Sequence, residues 1–178
     1  VAPGDPVPFN GGGAASRAYA GDDADHEQHT NHLVVADRHG NVVSYTNTIE
    51  QIAGSGISVP GRGFLLNNEL TDFSATCDAK DPNRIAAGKR PRSSISPTLV
   101  LRHGKPFIAL GSPGGSRIIT ITLETLMNVI DYGRDPQNAV GAPRFHEQWL
   151  QDLIDMEPYA VSPDTWRRER LHREIEAN

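Results

Sequence analysis

Four short segments carry residue types that can do chemistry. The first is Thr30-Asn31-His32. A threonine hydroxyl is a poor nucleophile unless a base sits beside it. A free α-amine titrates near ~7.7–8.0 and can be that base at neutral pH. An internal threonine has only an amide nitrogen, so this chemistry requires cleavage of the His29–Thr30 bond. The second segment runs from Gly111 to Arg117, Gly-Ser-Pro-Gly-Gly-Ser-Arg. A glycine-rich turn entering a helix exposes backbone N–H groups that can hold a phosphate or an oxyanion. It has neither the GxGxxG nor the GxxxxGK[ST] spacing, so the nucleotide motifs fail, and a tight structural turn is the competing reading. The third, Lys89 to Pro97, places Ser93 and Ser94 beside basic residues, where hydroxyls can hold a carboxylate or simply line a polar loop. The fourth contains Glu69 and Asp72, three residues apart. On one helical turn they share a face and can bind a cationic amine; otherwise they belong to a solvated acidic loop.

Other chemically capable residues read as structural. His26, His29 and His32 are evenly spaced, but their segment has no helix signal to put them on one face, so no metal site is expected. Cys77 sits in a polar loop with no histidine partner nearby in the sequence. Trp149 and Trp166 read as packing residues, and Arg117 and Arg144 as partners for structural acids.

The elements that must position these groups follow from pattern. Residues 1–29 are rich in Gly, Pro, Ala and Asp and lack periodicity, which predicts a flexible tail or linker. Two β-rich runs, Leu33–Val35 and Val42–Tyr45, flank a Gly/Asn turn and predict a hairpin. Ile57–Val59 and Phe64–Leu66 are further short strand candidates, and residues 74–92 read as a long loop. Thr98–Arg102 and Phe107–Leu110, around His103-Gly104-Lys105, predict a second hairpin. The dense apolar run from Ile118 to Ile130 predicts a buried helix ending at Tyr132-Gly133. Asp135 can cap a short helix opening at Pro136, and Ser162 another over 164–175. Strands followed by helices imply an α+β layered domain.

Composition limits the partners. The 178 residues suit one domain or a large piece of one. A net charge of −5 argues against a nucleic-acid binder that works by phosphate neutralisation. One cysteine excludes an internal disulfide and any multi-cysteine metal site. No apolar run approaches the length of a membrane span. The chain opens without an initiator Met or a basic-then-apolar leader and reads as a piece of something longer.

Together the four segments resemble the γ-glutamyltransferase (γ-glutamyltranspeptidase) family of N-terminal-nucleophile hydrolases. The resemblance is carried by Thr30-Asn31-His32, Gly40-Asn41, the Thr46–Gln51 run Thr-Asn-Thr-Ile-Glu-Gln, the Gly63–Phe73 run ending in Asn-Glu-Leu-Thr-Asp-Phe, Lys89–Ser94, Ser96–Thr98, Gly111–Arg117, Asp131–Gly133 and Ala142–Phe145. It covers about residues 30–157. It implies an αββα four-layer sandwich, of which this chain supplies part. It also implies a precursor that cuts itself before the nucleophile. Residues 1–29 would then be the tail of a large subunit, and 30–178 a C-terminally truncated small subunit that needs that large subunit as partner. By the match, Thr30 is the nucleophile and Thr48 the second hydroxyl beside it. Glu69 and Asp72 bind the substrate α-amino group, Ser93 and Ser94 its α-carboxylate, and Gly114 and Gly115 supply oxyanion-hole N–H groups. The substrates implied are γ-glutamyl compounds, glutathione or poly-γ-glutamate, with water, amino acids or peptides as acceptors and no cofactor. Members are typically exported, which implies the periplasm or cell exterior.

The chain departs from many members at Glu50, where they have Asn. The Thr-Ile-Glu-Gln version is similar to bacterial members that include the capsule poly-γ-glutamate transpeptidases. An added carboxylate there can tighten hold on the donor ammonium or alter the acceptor. The stretch from Asp72 to Lys89 is too short and Pro-poor for a long lid, which favours an open cleft suited to bulky donors. Two other readings compete. One is a related acylase that removes a glutaryl or similar side chain from a β-lactam nucleus. The other is an inert module that works only with its large subunit.

Overall fold

A computed structural model describes residues 28–76, 78–148, 154–162 and 173–174. Cys77, Trp149, Trp166 and His26 lie outside the described residues. The described residues form two units, one from residues 28–30 and 48–93, the other from 31–47 and from 94 onward. The division passes through strands β1 (Gln28–Ala36) and β2 (Val42–Gln51), which pair as a two-stranded sheet. Each step forward on β1 meets an equal step back on β2. Thr30 lies against Thr48, His32 against Thr46, and the Asp37 N–H donates to the Asn41 carbonyl. The pairing is therefore antiparallel. β1 starts before the expected end of the tail, so the His29–Thr30 bond lies inside a strand.

In the first unit, β2 ends where Glu50 turns to φ 74° and Ala53 to φ 62°. Gly54 allows the chain to fold back there: a Cβ at this position would meet the Leu66 carbonyl, and Ile49 at 2.7 Å. Residues 55–66 return as a narrow turn-back. Ser55 N donates to Leu66 O at 2.9 Å, Leu66 N to Ile57 O at 2.9 Å and Val59 N to Phe64 O at 3.0 Å. The two strands expected here reduce to one bridge, Ser58 with Leu65. Pro60 lacks an N–H and the flanking glycines favour a turn, so no longer ladder forms. A single 3-10 turn, Glu69–Asp72, follows, and Phe73 behind it is buried. The expected long loop over 74–92 folds on itself: Lys89 Nζ donates to the Pro82 and Arg84 carbonyls, and Asn83 Nδ2 donates to Asp72 O at 2.8 Å.

In the second unit the first hairpin closes on Asp37. Its carboxylate accepts from the N–H groups of His39 and Asn41 and from the Asn41 amide. The Asn41 contacts, its side chain first, hold the Asp37 carboxyl below its ordinary range. The second hairpin joins β3 (Thr98–Arg102) to β4 (Lys105–Leu110), antiparallel, with a shift in register between Val100 and Leu101. His103 (φ 52°) and Gly104 (φ 76°) make a two-residue turn with both residues left-handed, whose twist suits a hairpin. Helix α1 (Ile118–Ile130) and helix α2 (Pro136–Val140) stand where the sequence predicts them. The Asp135 side chain caps α2 by accepting from Asn138 N at 3.0 Å, with Pro136 at the first position.

Strand β5 (Phe145–His146) pairs antiparallel with β6 (Ile154–Met156), and β6 pairs parallel with β7 (Arg173–Glu174). The helix expected over 164–175 falls mostly outside the described residues, and Arg173–Glu174 are strand instead. There the partner strand β6 supplies a ladder that the local sequence could not reveal. Ile118 and Thr122 of α1, Ala139 of α2 and Ala142 just beyond it are buried. The rest of α1 differs from the buried helix expected. Ile119, Leu123, Met127 and Ile130 lie 38–53% exposed along one side. An apolar run wider than one stripe has more surface than its own unit covers. Leu33, Val35, Val43 and Tyr45 on the first hairpin are exposed too, as the resemblance implies for part of a larger sandwich. Among the described residues no helix is long and apolar enough to cross a membrane.

Candidate active site

The first unit holds a hydroxyl pair and an acid cluster. Opposing positions on an antiparallel ladder bring side chains together. Here the Thr30 hydroxyl donates to Thr48 Oγ1 at 2.9 Å. Thr48 Oγ1 also accepts from the Glu50 N–H at 2.9 Å and donates to the His29 carbonyl at 3.4 Å. The Thr48 hydroxyl therefore bridges the Thr30 oxygen and the carbonyl of the peptide bond just before it.

The acids are placed by a side-chain clamp. Asn68 Nδ2 donates to Gln51 Oε1 at 2.9 Å, Asn68 Oδ1 accepts from Gln51 N at 3.1 Å, and Asn68 N donates to Ile49 O at 3.3 Å. These bonds tie the start of the 3-10 turn to the end of β2. Residues three apart eclipse in such a turn, so Glu69 and Asp72 share a face; the helical-turn alternative holds here rather than the solvated loop. Thr71 Oγ1 donates to Glu50 Oε2 at 3.2 Å and draws the third carboxylate in. Burial, then the charges of Asp72 and Glu50 and a hydrogen bond with Asp72, push the Glu69 carboxyl above its ordinary range. Glu50, Glu69 and Asp72 thus make one acidic group whose charges act on each other, and an ammonium is complementary to it. Asn68 and Thr71 were not singled out from sequence. Their partners lie in β2, and only an Asn directly before the Glu-x-x-Asp turn hints at a clamp.

The second unit holds the glycine turn. Gly114 has φ 132° and Gly115 φ 57°, conformations that side-chain-bearing residues rarely adopt. The Gly114 carbonyl accepts from Arg117 N at 3.0 Å, and the buried Gly115 carbonyl from the Ser94 hydroxyl at 2.7 Å. Ser93 is exposed and belongs to the first unit, Ser94 to the second. The single Ser94 hydroxyl proton is spent on Gly115, so only its lone pairs face other partners.

At the entry to the turn, Gly111 lies against the His32 ring. His32 Nδ1 is 2.8 Å from Thr46 Oγ1 and Nε2 is 3.3 Å from Ser44 Oγ; Ser44 donates to Leu110 O at 3.0 Å. Burial lowers the His32 pKa. The sequence marks His32 as a neighbour of Thr30 and as one of three evenly spaced histidines; this contact with Gly111 is long-range. A cavity of about 360 Å³ also lies in this unit. Its wall includes Arg117, paired with Asp155 at 3.1 Å, and Arg144, paired with Glu157 at 2.6 Å. Its charges are already paired, which agrees with the structural reading of both arginines.

Residues 9–173 match the Gamma-glutamyltranspeptidase family. The chain is 44% identical over 144 residues to the glutathione hydrolase proenzyme of Pseudomonas sp. (strain A14), covering 76% of this chain and 25% of that protein. It thus spans about a quarter of the length of that curated relative. A mutant of Helicobacter pylori gamma-glutamyltranspeptidase superposes with a TM-score of 0.70 at 48% identity, covering 78% of this chain and 79% of that one.

More distant are the transpeptidase CapD of Bacillus anthracis and a cephalosporin acylase from Bacillus halodurans. CapD has a TM-score of 0.62 at 29% identity, covering 83% of this chain and 78% of that one. The acylase has 0.69 at 28%, covering 83% and 27%. The fold is accordingly α+β, part of the N-terminal-nucleophile hydrolase sandwich shared by these proteins. With a match across nearly the whole sequence, this chain belongs to the gamma-glutamyltranspeptidase family.

Proposed function

We propose that this chain is the nucleophile-bearing part of a γ-glutamyl hydrolase/transferase precursor, with Thr30 as nucleophile. One observation carries the reading: the Thr48 hydroxyl joins Thr30 Oγ1 to the carbonyl of His29–Thr30. Attack by Thr30 Oγ1 on that carbonyl transfers the His29 acyl group from nitrogen to oxygen. Water then hydrolyses the ester, leaving residue 29 with a carboxylate and Thr30 with a free amine. The division into a segment ending at His29 and one starting at Thr30 follows.

The released amine is the base that the Thr30 hydroxyl lacks in the uncut chain. A γ-glutamyl donor brings an ammonium, met by Glu50, Glu69 and Asp72. Its α-carboxylate is assigned to Ser93 and Ser94. With Ser94 Oγ donating to Gly115 O, that role requires its proton to swing to the ligand. Thr30 Oγ attacks the γ-carbonyl, and the N–H groups of Gly114 and Gly115 stabilise the oxyanion, a type of contact whose loss costs about 2.7–4 kcal/mol. The amine proton passes to the leaving group, and the γ-glutamyl ester goes to water or to an amino acid or peptide.

The acid cluster favours this donor over the glutaryl group of an acylase substrate, which has no ammonium to meet three carboxylates. The family implies a large subunit as partner, and the uncovered apolar residues of α1 and the first hairpin suit one. Export to the periplasm or cell exterior is part of the same proposal. The test is hydrolysis of γ-glutamyl and glutaryl anilides by the full-length precursor. A preference for the γ-glutamyl compound that disappears in Thr30→Ala is expected. A glutaryl preference, or turnover retained in Thr30→Ala, overturns the assignment.

A further inference from the structure

We propose that His32 is a positioning residue that fixes the entry to the glycine turn through its neutral, Nε2-protonated tautomer. This rests on the reading of Gly114 and Gly115 as oxyanion donors. The hydrogen-bond directions fix the tautomer. Ser44 has one proton, and it goes to the Leu110 carbonyl. Toward His32 the Ser44 oxygen offers only lone pairs, so Nε2 carries the hydrogen and donates to it. Nδ1 is then the acceptor, and the Thr46 hydroxyl donates to it. The result is a one-way chain from Thr46 through the imidazole and Ser44 to the last carbonyl of β4. Burial of the ring disfavours the imidazolium, which would reverse the Thr46 bond.

The same ring packs on the next residue. A Cβ at Gly111 would fall within the imidazole, with Nε2 at 2.8 Å, so position 111 admits no side chain while His32 holds its place. The turn from Gly111 to Gly115 is thereby pinned at both ends, by His32 and Ser44 at Leu110–Gly111 and by Ser94 at the Gly115 carbonyl. An oxyanion site works because its donors are fixed before charge develops. Loosening one end of the turn should cost turnover more than binding.

The experiment uses the full-length precursor and its processed form. Histidine ¹⁵N NMR of the processed enzyme at neutral pH is expected to show His32 protonated at Nε2 and bare at Nδ1. An Nδ1–H tautomer or an imidazolium would overturn the proposal whatever the enzyme's activity. With a γ-glutamyl anilide, His32→Ala and Gly111→Ala are expected to lower kcat by about tenfold or more with KM changed less than about threefold. His32→Gln, whose amide N–H can replace Nε2–H, should recover part of the loss. Ser44→Ala keeps the ring and removes the link, so it covers a His32→Ala protein that fails to fold; a several-fold fall in kcat is expected. Unchanged kcat in Ser44→Ala and Gly111→Ala contradicts the proposal, as does a change confined to KM. A wild-type enzyme inactive on γ-glutamyl donors refutes the proposed function instead, and the tautomer still decides the role of His32.

Discussion

The two units are held together by different forces. Among the described residues of the first, only Phe73 is buried, and its shape comes from polar clamps: Asn68 on Gln51, Thr71 on Glu50, Asn83 on Asp72 and Lys89 on two carbonyls. The second buries the apolar Ile118, Ala139 and Ala142 and has the antiparallel β3–β4 ladder and a thirteen-residue helix. Apolar burial is non-directional, whereas hydrogen bonds fix angles and distances. The unit that holds the hydroxyl pair and the three acids relies on the directional force. The unit that offers a backbone turn relies on packing and regular structure. Damage to a clamp should therefore be read in catalysis and donor binding, and damage to the packed unit away from its turn in stability alone.

The largest effect tests the hydroxyl pair. Thr30→Ala in the full-length precursor should abolish both the cut and turnover; gel analysis and anilide hydrolysis read both. Thr48→Val keeps the shape and removes the bridge to the His29 carbonyl. It should slow processing and turnover by about 10²-fold or more, on the scale of a lost proton-handling group, while Thr48→Ser keeps most of both. Processing time courses decide this.

Next comes the clamp. Asn68→Ala leaves backbone and Gln51 groups without their partner, costing about 1–3 kcal/mol in chemical denaturation and raising donor KM several-fold. A KM change without loss of stability would mean that Asn68 acts on the substrate directly.

The acid cluster sets a pH dependence. Because its folded-state pKa is raised, Glu69 keeps its proton to higher pH than in the unfolded chain. Its contribution to stability is whole below the unfolded value and is lost as pH rises through the raised one. An ammonium needs the ionised form, so donor KM should fall over that same rise in pH. Glu69→Gln should flatten the profile and raise KM. A profile unchanged by Glu69→Gln would remove Glu69 from the donor site.

The smallest effect belongs to the packed unit. Asp135→Ala removes the cap of α2 and should cost about 1 kcal/mol, read as a lower Tm, with kcat unchanged.

Much of this arrangement was legible in the sequence because its signals are local. Both hairpins, the span of α1 and the Asp135 cap follow from alternation, turn chemistry and spacing, whereas the spacing of Glu69 and Asp72 left a helical turn and a solvated loop both open. The resemblance then assigned roles to residues whose types alone left them open. What escaped is long-range. Nothing near Asn68 reveals Gln51, and nothing near Gly111 reveals the ring of His32. The Ile57–Val59 and Phe64–Leu66 strands shrank to one bridge because Pro60 has no N–H to donate and the glycines after it turn the chain. The helix expected to be buried has an exposed apolar side because its apolar run is wider than the surface its own unit covers.

The central claim is that Thr30 becomes an N-terminal nucleophile. The most direct measurement is peptide mapping by mass spectrometry after the purified full-length protein reacts with an electrophilic γ-glutamyl analogue. The account predicts one labelled peptide that begins at Thr30, with the adduct on that residue. A label on another residue, or a labelled and active protein whose His29–Thr30 bond is intact, would contradict it.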